Sequence, residues 1–159
     1  MSGWGNFAVV MGAATAALLG LLFVAVSIRI DTIAPSAELR NRSAQTLTLL
    51  LTGLLAMALL AVPGQRTWAL GAEYLALAVV VAGVAFILDR RAGSPSSSGI
   101  AHVLDSINPT FVTCSLLVVT GVVLILGHED GLYVLVPALI AVLVGGVVNA
   151  WLILVRLTG

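Results

Sequence analysis

An ionisable residue inside an apolar segment is costly and therefore suggests a function. Glu73 stands inside an apolar run, and His128, Glu129 and Asp130 follow another. Carboxylates at one mouth of a membrane pathway would attract cations, and repeated around an oligomer they would form a carboxylate ring. The alternative is that Glu73 reaches water at the interface or pairs with Arg66. Glu73, Glu129 and Asp130 are accordingly predicted as ion-path residues.

A stripe of polar side chains runs along the second long apolar segment. Asn41, Gln45, Thr48 and Thr52 are spaced by four, three and four residues, which places them on one face of a helix. Such a face could line the cytoplasmic half of a wet pathway. It could equally bond to neighbouring helices, where each contact contributes roughly 0.6 to 2 kcal/mol. Gln45, Thr48 and Thr52 are therefore further ion-path candidates, with helix packing as the alternative.

The residue types needed for most catalytic and metal sites are scarce. The chain has one cysteine, Cys114, which excludes an intrachain disulfide and a cysteine cluster. Neither an HExxH metal motif nor a G-x-x-x-x-G-K-[ST] phosphate loop occurs. A formal net charge of zero gives no reason to expect nucleic-acid binding. The sequence predicts a protein that is not an enzyme and has no catalytic residues, metal or cofactor.

Small residues recur at helical spacing in the first and last apolar runs. Such residues let two helix backbones approach closely, and an asparagine can then hydrogen-bond across the contact. The predicted helix-packing residues are Gly12, Ala16 and Gly20 in the first run and Gly145, Gly146 and Asn149 in the last. Because these faces suit assembly, we expect a homo-oligomer.

Composition identifies the elements that must position these residues as membrane helices. Hydrophobic residues make up 60% of the 159-residue chain and charged residues only 9%, whereas soluble domains carry about 25% charged residues. A spanning helix needs about 20 mostly apolar residues. We predict an all-α integral membrane protein in the lipid bilayer, a bundle of five transmembrane helices at residues 7–28, 44–62, 69–88, 110–126 and 132–155.

Arginines predict the direction of these helices. Three segments, those after the first, third and fifth predicted spans, contain Arg29, Arg40, Arg42, Arg90, Arg91 and Arg156, and the other side has Arg66 alone. Basic loops stay in the cytoplasm. The N-terminus is therefore expected outside and the C-terminus in the cytoplasm. Aromatic residues agree, since Trp68 and Tyr74 fall near the expected outer boundary.

The segments expected on the cytoplasmic side differ in kind. Residues 36–42 are predicted to extend the second helix, and residues 90–99 are a Gly/Ser/Pro-rich linker. In residues 100–107 the apolar positions share one helical face, which predicts a short amphipathic helix on the membrane surface between spans three and four. Either 36–42 or 100–107 could bind a membrane-protein partner.

The opening segment resembles a known group of sequences. Residues 4–28, with Trp-Gly-Asn-Phe followed by Gly-Leu-Leu-Phe-Val-Ala-Val-Ser-Ile, are similar to the start of a widespread group of small bacterial multi-span membrane proteins. The Ala-Val-Pro-Gly-Gln at 61–65 is also similar. This group has no known activity, so the resemblance implies a helical membrane fold of about five spans and no substrate. The basic residues are all arginine, which is common in GC-rich bacteria.

This pattern predicts a protein of a bacterial inner (plasma) membrane and is compatible with two functions. The first expectation is a homo-oligomer forming a pore or small-solute transport unit that favours cations, with Glu73 at its outer mouth. The alternative is a non-conducting accessory or scaffold subunit of a larger membrane complex.

Overall fold

The long apolar runs fold as α-helices, in which each segment satisfies its own backbone hydrogen bonds, as a membrane span requires. The computed structural model describes residues 3–92, 109–128 and 130–158. Within these residues the helices, in chain order, are α1 (Trp4–Ile28), α2 (Ile30–Ile33), α3 (Ala37–Leu60), α4 (Thr67–Ala92), α5 (Pro109–Ile125) and α6 (Gly131–Thr158). The prediction of an all-α protein is confirmed for this part of the chain.

Four of the helices are long and apolar enough to cross a membrane. They are α1 and the segments Leu39–Leu60 of α3, Thr67–Leu88 of α4 and Gly131–Leu152 of α6. The predicted fourth span corresponds to α5, which is apolar but has 17 residues, at the lower limit of about 17 for a spanning helix. The prediction of helices that are long and apolar enough to cross a membrane is therefore confirmed for four of the five predicted spans.

Local signals explain where several helices begin and end. Ser36 is the N-cap of α3, and its hydroxyl accepts a hydrogen bond from the backbone N–H of Leu39 at 3.3 Å. Pro109 is the first residue of α5. A backbone N–H at this position would have no partner within the helix, so the helix loses no hydrogen bond because proline lacks one. Gly64 and Gly127 have positive φ angles of 71° and 85° in the turns after α3 and α5, which glycine adopts without steric cost.

Two helices extend beyond the predicted spans. α3 begins at Ala37, so residues 37–42 extend the second helix as predicted. α4 continues to Ala92, so residues 90–92, predicted as linker, are helical. The rest of that linker, the predicted surface helix at 100–107 and Glu129 lie outside the described residues.

A short helix that the sequence did not indicate joins α1 to α3. α2 is one turn long and packs against both of these helices. Its last residue, Ile33, is buried, with 2% of its surface exposed. The Arg40 guanidinium of α3 donates a hydrogen bond through Nη1 to the carbonyl oxygen of Ala34 at 2.8 Å, which ties the turn after α2 to the following helix.

The contacts between helices show that the five long helices alternate in direction. Residues early in α1 lie level with residues late in α3, as with Gly12 and Met57. α3 and α6 are likewise antiparallel, because Gly53 faces Val142 and Gly146 faces Leu50. α4 and α5 pair in the same way, as do α5 and α6. The start of α1 therefore lies beside the start of α6, at the end of the bundle opposite to their C-termini.

Direct contact between aromatic rings supports this arrangement. The Trp4 ring of α1 meets the Tyr133 ring of α6 edge to face, with centroids 5.2 Å apart. We call this end of the bundle, which also holds Arg66, Glu73 and Asp130, the acidic end. The other end, where α1, α4 and α6 finish and α3 and α5 begin, is the arginine-rich end.

The helices form a four-helix ring with α1 outside it. α3, α4, α5 and α6 contact one another in cyclic order, and α1 packs mainly on α3 with a smaller contact to α6. In an 18-residue window of each helix, 44% of α3 residues are buried and 11% of α1 residues are buried. The core of the protein therefore lies inside the four-helix ring, and most of the α1 surface is exposed.

Candidate functional site

Glu73, the strongest ion-path candidate, lies in the second turn of α4 at the acidic end. Its side chain is partly buried, and its carboxylate accepts a hydrogen bond from Nε2 of Gln65. Gln65 belongs to the turn between α3 and α4, so the hydrogen bond joins this turn to the helix that follows it. The predicted alternative pairing with Arg66 does not form among the described residues, in which Arg66 is exposed. A neutral amide thus partners the Glu73 carboxylate.

The amide of Gln65 is only half satisfied in this arrangement. Its Oε1 atom is buried and has no hydrogen-bond partner among the described residues. One carboxylate and one amide can orient each other, but they provide neither a nucleophile with its base nor the six to eight oxygen ligands that Ca²⁺ takes. Within the described part of the chain no three His, Cys, Asp or Glu residues come together as a metal site.

The remaining acidic candidate among the described residues is Asp130, in the turn before α6. Asp130 and the neighbouring His128 are exposed at the acidic end. Neither side chain hydrogen-bonds to Glu73 in the described residues. The fold brings these charges to the same end of the bundle as Glu73 without joining them into one site.

The predicted polar stripe of α3 is satisfied within its own helix over its apolar half. The Thr48 hydroxyl donates to the carbonyl oxygen of Ala44 at 2.8 Å, and the Thr52 hydroxyl donates to the carbonyl oxygen of Thr48 at 2.7 Å. Such bonding to the preceding turn is common for threonine in helices. Gln45 lies nearer the arginine-rich end and is partly buried.

Thr52 borders a small pocket between α3, α5 and α6. The pocket has a volume of about 10 Å³, near the lower limit for one water molecule of about 10–15 Å³. Two of its lining residues carry hydroxyl groups, Thr52 and Thr113, and both donate to carbonyl oxygens of their own helices. The other lining residues include Leu117, Leu135 and Leu139. Among the described residues, this part of the ring is therefore tightly packed and mostly apolar, with Leu117, Leu135 and Leu139 all buried.

The predicted helix-packing residues divide into two groups. Gly145 and Gly146 pack closely against other helices. A Cβ atom added to Gly145 would lie 2.7 Å from the Pro109 side chain, and one added to Gly146 would lie 2.7 Å from the Leu50 side chain. Gly12 of α1 faces Met57 of α3, where an added Cβ would lie 3.3 Å from the methionine Cβ. Asn149 is partly buried.

The other two predicted packing residues of α1, Ala16 and Gly20, are exposed among the described residues. An added Cβ on Gly20 would have no atom within 4 Å. The buried residues of α1 lie on an adjoining face and include Thr15, which is fully buried beside Gly53. Whether Ala16 and Gly20 pack against a second copy stays a prediction.

The structure also reveals an interior polar contact that sequence reasoning missed. Tyr74 was assigned to the aromatic residues near the outer boundary, but it is fully buried. Its hydroxyl donates to the carbonyl oxygen of Ala56 in α3 at 3.0 Å. Its neighbours Glu73 and Leu75 are only partly buried. Leu70, Tyr74 and Ala78 are spaced by four residues and so share one face of α4, and this spacing was the sequence signal that Tyr74 points into the protein.

Two glycines that were not predicted to pack form a close contact between the backbones of α4 and α5. An added Cβ on Gly71 of α4 would lie 2.7 Å from the carbonyl oxygen of Gly121 in α5, and one on Gly121 would lie 2.9 Å from that of Gly71. Backbones this close allow weak Cα–H···O contacts and dense packing. The signal in the sequence was one glycine in each of two neighbouring apolar runs.

Comparison with known proteins adds no relative to this description: no family model matches the chain, and no curated protein or solved structure is similar enough to count as a match.

Proposed function

We propose that this chain is a five-span integral protein of a bacterial inner membrane, with its N-terminus outside and its C-terminus in the cytoplasm. The alternating helices support an odd number of crossings, since the end of α6 lies opposite the start of α1. Six arginines lie at one end of the bundle, where α1, α4 and α6 end and α3 begins. Such an end remains cytoplasmic by the positive-inside rule.

The orientation is tested with single cysteines in a Cys114→Ala background. A cysteine at position 2 should react with a membrane-impermeant maleimide in intact cells, and one at position 159 should react only after the membrane is opened. Equal labelling of both positions in intact cells would contradict the proposal.

For its biochemical role we propose a non-conducting accessory or scaffold subunit of a membrane complex. The observation that carries this proposal is the tight packing of buried side chains inside the four-helix ring, among them Leu117, Leu135 and Leu139, beside a pocket of only about 10 Å³. The hydroxyls of Thr48 and Thr52 add to it, because each bonds to a carbonyl of its own helix. A conducting path needs groups that replace the hydration shell of an ion, and the centre of this ring offers few.

The partner-binding element in this proposal is the start of α3, residues 36–42. It begins at the Ser36 cap and includes Arg40, whose side chain is anchored to Ala34. A cap and an anchored side chain hold this turn in one conformation before any partner binds, which reduces the entropy lost on association. The predicted second docking element, residues 100–107, remains an alternative.

A homo-oligomeric pore between copies is the second candidate. Two observations favour it: Ala16 and Gly20 form an exposed small-residue face on α1, and Glu73 is only partly buried at the acidic end. A pore at the interface of several copies would not need a path through the ring of one chain.

Two measurements on the full-length protein separate the candidates. Cation flux into liposomes compares the wild type with Glu73→Gln, and mass measurement in nanodiscs gives the number of copies. A scaffold predicts flux at the level of empty liposomes for both proteins, together with a stoichiometric partner recovered from native membranes. A flux well above that level, lowered by Glu73→Gln in an oligomer, would reject the scaffold and support the pore.

A further inference from the structure

We infer that the corner formed by the end of α1, by α2 and by the start of α3 is a binding site for the headgroup of an anionic phospholipid. The residues that carry this inference are Arg29, Arg40 and the two exposed isoleucines Ile28 and Ile30.

The depth of the corner follows from the length of α1. Its 25 residues extend about 37 Å at 1.5 Å per residue, which exceeds the hydrocarbon thickness of about 30 Å. With Trp4 near one boundary, Arg29 directly after the helix lies in the headgroup region of the other. A guanidinium at this depth meets phosphate groups and not acyl chains.

Arg29 is exposed at the break between α1 and α2. Within the described part of the chain its side chain has no hydrogen-bond or ion-pair partner. An arginine presents five N–H donors in a planar fork that matches the oxygen atoms of a phosphate. Its donors are therefore available for a ligand from the membrane.

Arg40 adds a second guanidinium to the same corner. Its Nη1 donates to the carbonyl oxygen of Ala34 at 2.8 Å, which fixes the side chain beside the turn after α2. One hydrogen bond uses only part of the donor fork, so other N–H groups of Arg40 can still reach a phosphate. An anchored side chain also loses less conformational entropy on binding than a mobile one.

Apolar side chains beside the guanidinium groups suit the rest of a lipid. Ile28 and Ile30 are 74% and 49% exposed on either side of Arg29, while Ile33 is buried and holds α2 against the bundle. The corner thus combines cationic donors with apolar surface at the depth where headgroups join acyl chains.

Net charge favours an anionic lipid over a zwitterionic one. Residues 29–42 carry three arginines against Asp31 and Glu38, and Arg90 is exposed at the same end of the bundle. A basic residue near an anionic membrane surface contributes attraction that a neutral surface does not supply. Phosphatidylglycerol, which has a phosphate and no ammonium group, is the appropriate probe.

The test uses the full-length protein in detergent micelles, titrated with phosphatidylglycerol or phosphatidylcholine while its unfolding temperature is measured. Binding to the folded state raises that temperature with lipid concentration. We expect saturable stabilisation by phosphatidylglycerol, with an apparent affinity about fivefold weaker in Arg29→Gln and roughly 25-fold weaker when Arg40→Gln is added.

Arg66→Gln is the matched control, because Arg66 is an exposed arginine at the acidic end. It should change the affinity less than twofold, and Arg29→Lys should bind more tightly than Arg29→Gln but more weakly than the wild type, because lysine keeps the charge and lacks the planar donor fork. Equal stabilisation by the two lipids, or an equal loss in Arg29→Gln and Arg66→Gln, would overturn the inference. Salt provides an independent check, since raising ionic strength should weaken binding in the wild type more than in the double variant.

Discussion

In the four-helix ring, Gly71 and Gly121 lie where two backbones meet, whereas α1 exposes Gly5 and Gly20 with no atom near an added Cβ. Both regions are apolar, and both would pass as membrane helices by composition. The difference is that the ring has used its small residues to bring α4 against α5 at Gly71 and Gly121. Apolarity places a helix in the bilayer, but packing of small residues decides which helices it contacts.

The same comparison holds for polar groups. Inside the ring the Tyr74 hydroxyl crosses from α4 to the Ala56 carbonyl of α3. On α1 the buried Thr15 hydroxyl donates to Met11 and Gly12 of its own helix, at 2.6 Å and 3.0 Å. The ring is thus joined by an interhelical hydrogen bond, while the polar group on the inner face of α1 makes only local bonds.

Gly71→Ala should have the largest effect on stability. Its new Cβ would lie 2.7 Å from a backbone oxygen of α5, which cannot move aside as a side chain can. We expect a loss of roughly 2–3 kcal/mol in the free energy of unfolding. The measurement is unfolding in mixed micelles, monitored by circular dichroism. The control is Gly83→Ala on the same helix, where the added Cβ meets open space; equal losses in both variants would contradict the close α4–α5 contact.

Gly53→Ala examines the contact between the ring and α1. Its Cβ would lie 2.9 Å from a Val142 methyl group and 3.1 Å from the Thr15 methyl group. Side chains can adjust more readily than backbone, so a loss of about 1–2 kcal/mol is expected. Adding Thr15→Ser to remove that methyl group should recover part of the loss, and no recovery would show that α1 does not crowd this position.

Tyr74→Phe removes the interhelical hydrogen bond and keeps the ring in place. Hydrogen bonds between membrane helices contribute about 0.6 kcal/mol on average and up to about 1.7 kcal/mol. We expect a loss of about 1 kcal/mol in the same unfolding assay, with Tyr133→Phe as the control because the Tyr133 side chain is exposed. A larger loss for Tyr133→Phe would argue against the buried position of Tyr74.

Gly20→Leu should have the smallest effect on the isolated chain. The position has no neighbouring atom within 4 Å, and surface substitutions usually change stability by less than about 0.5 kcal/mol. The variant also sharpens the choice between candidate functions, because a leucine there would disrupt an α1 contact between copies. A lower oligomer mass in nanodiscs with unchanged monomer stability would identify α1 as an interface; an unchanged mass would remove Gly20 from it.

Much of the fold could be predicted from the sequence. The long apolar runs set the helices, and Pro63-Gly64 and Gly127 mark the turns between antiparallel neighbours. The signals are strong because hydrocarbon leaves few alternatives to a helix. α2 was missed because a single turn has no periodicity to detect, and its place depends on burial of Ile33 and on the Arg40 hydrogen bond to Ala34.

The candidate site could be predicted only as a set of residue types. The sequence identified Glu73 as an unusual carboxylate, but its partner is Gln65, a neutral residue in the preceding turn, and not Arg66. The spacing of Thr48 and Thr52 predicted that they share one face of a helix, but it did not predict which acceptor each hydroxyl would bond to. Threonine can bond to its own helix or across a contact, and only the distance to the neighbouring helix distinguishes these outcomes.

By itself, the sequence determined that this chain is helical and apolar enough for a membrane, because hydropathy and run length depend on composition alone. It also determined that most arginines fall at one end of helices that alternate in direction. Only the tertiary structure decided that α1 stands outside a ring, that Tyr74 faces inward, and that the centre of the ring is nearly closed. Those properties depend on how surfaces from distant parts of the chain fit together, and close packing responds to shape at the scale of a methyl group.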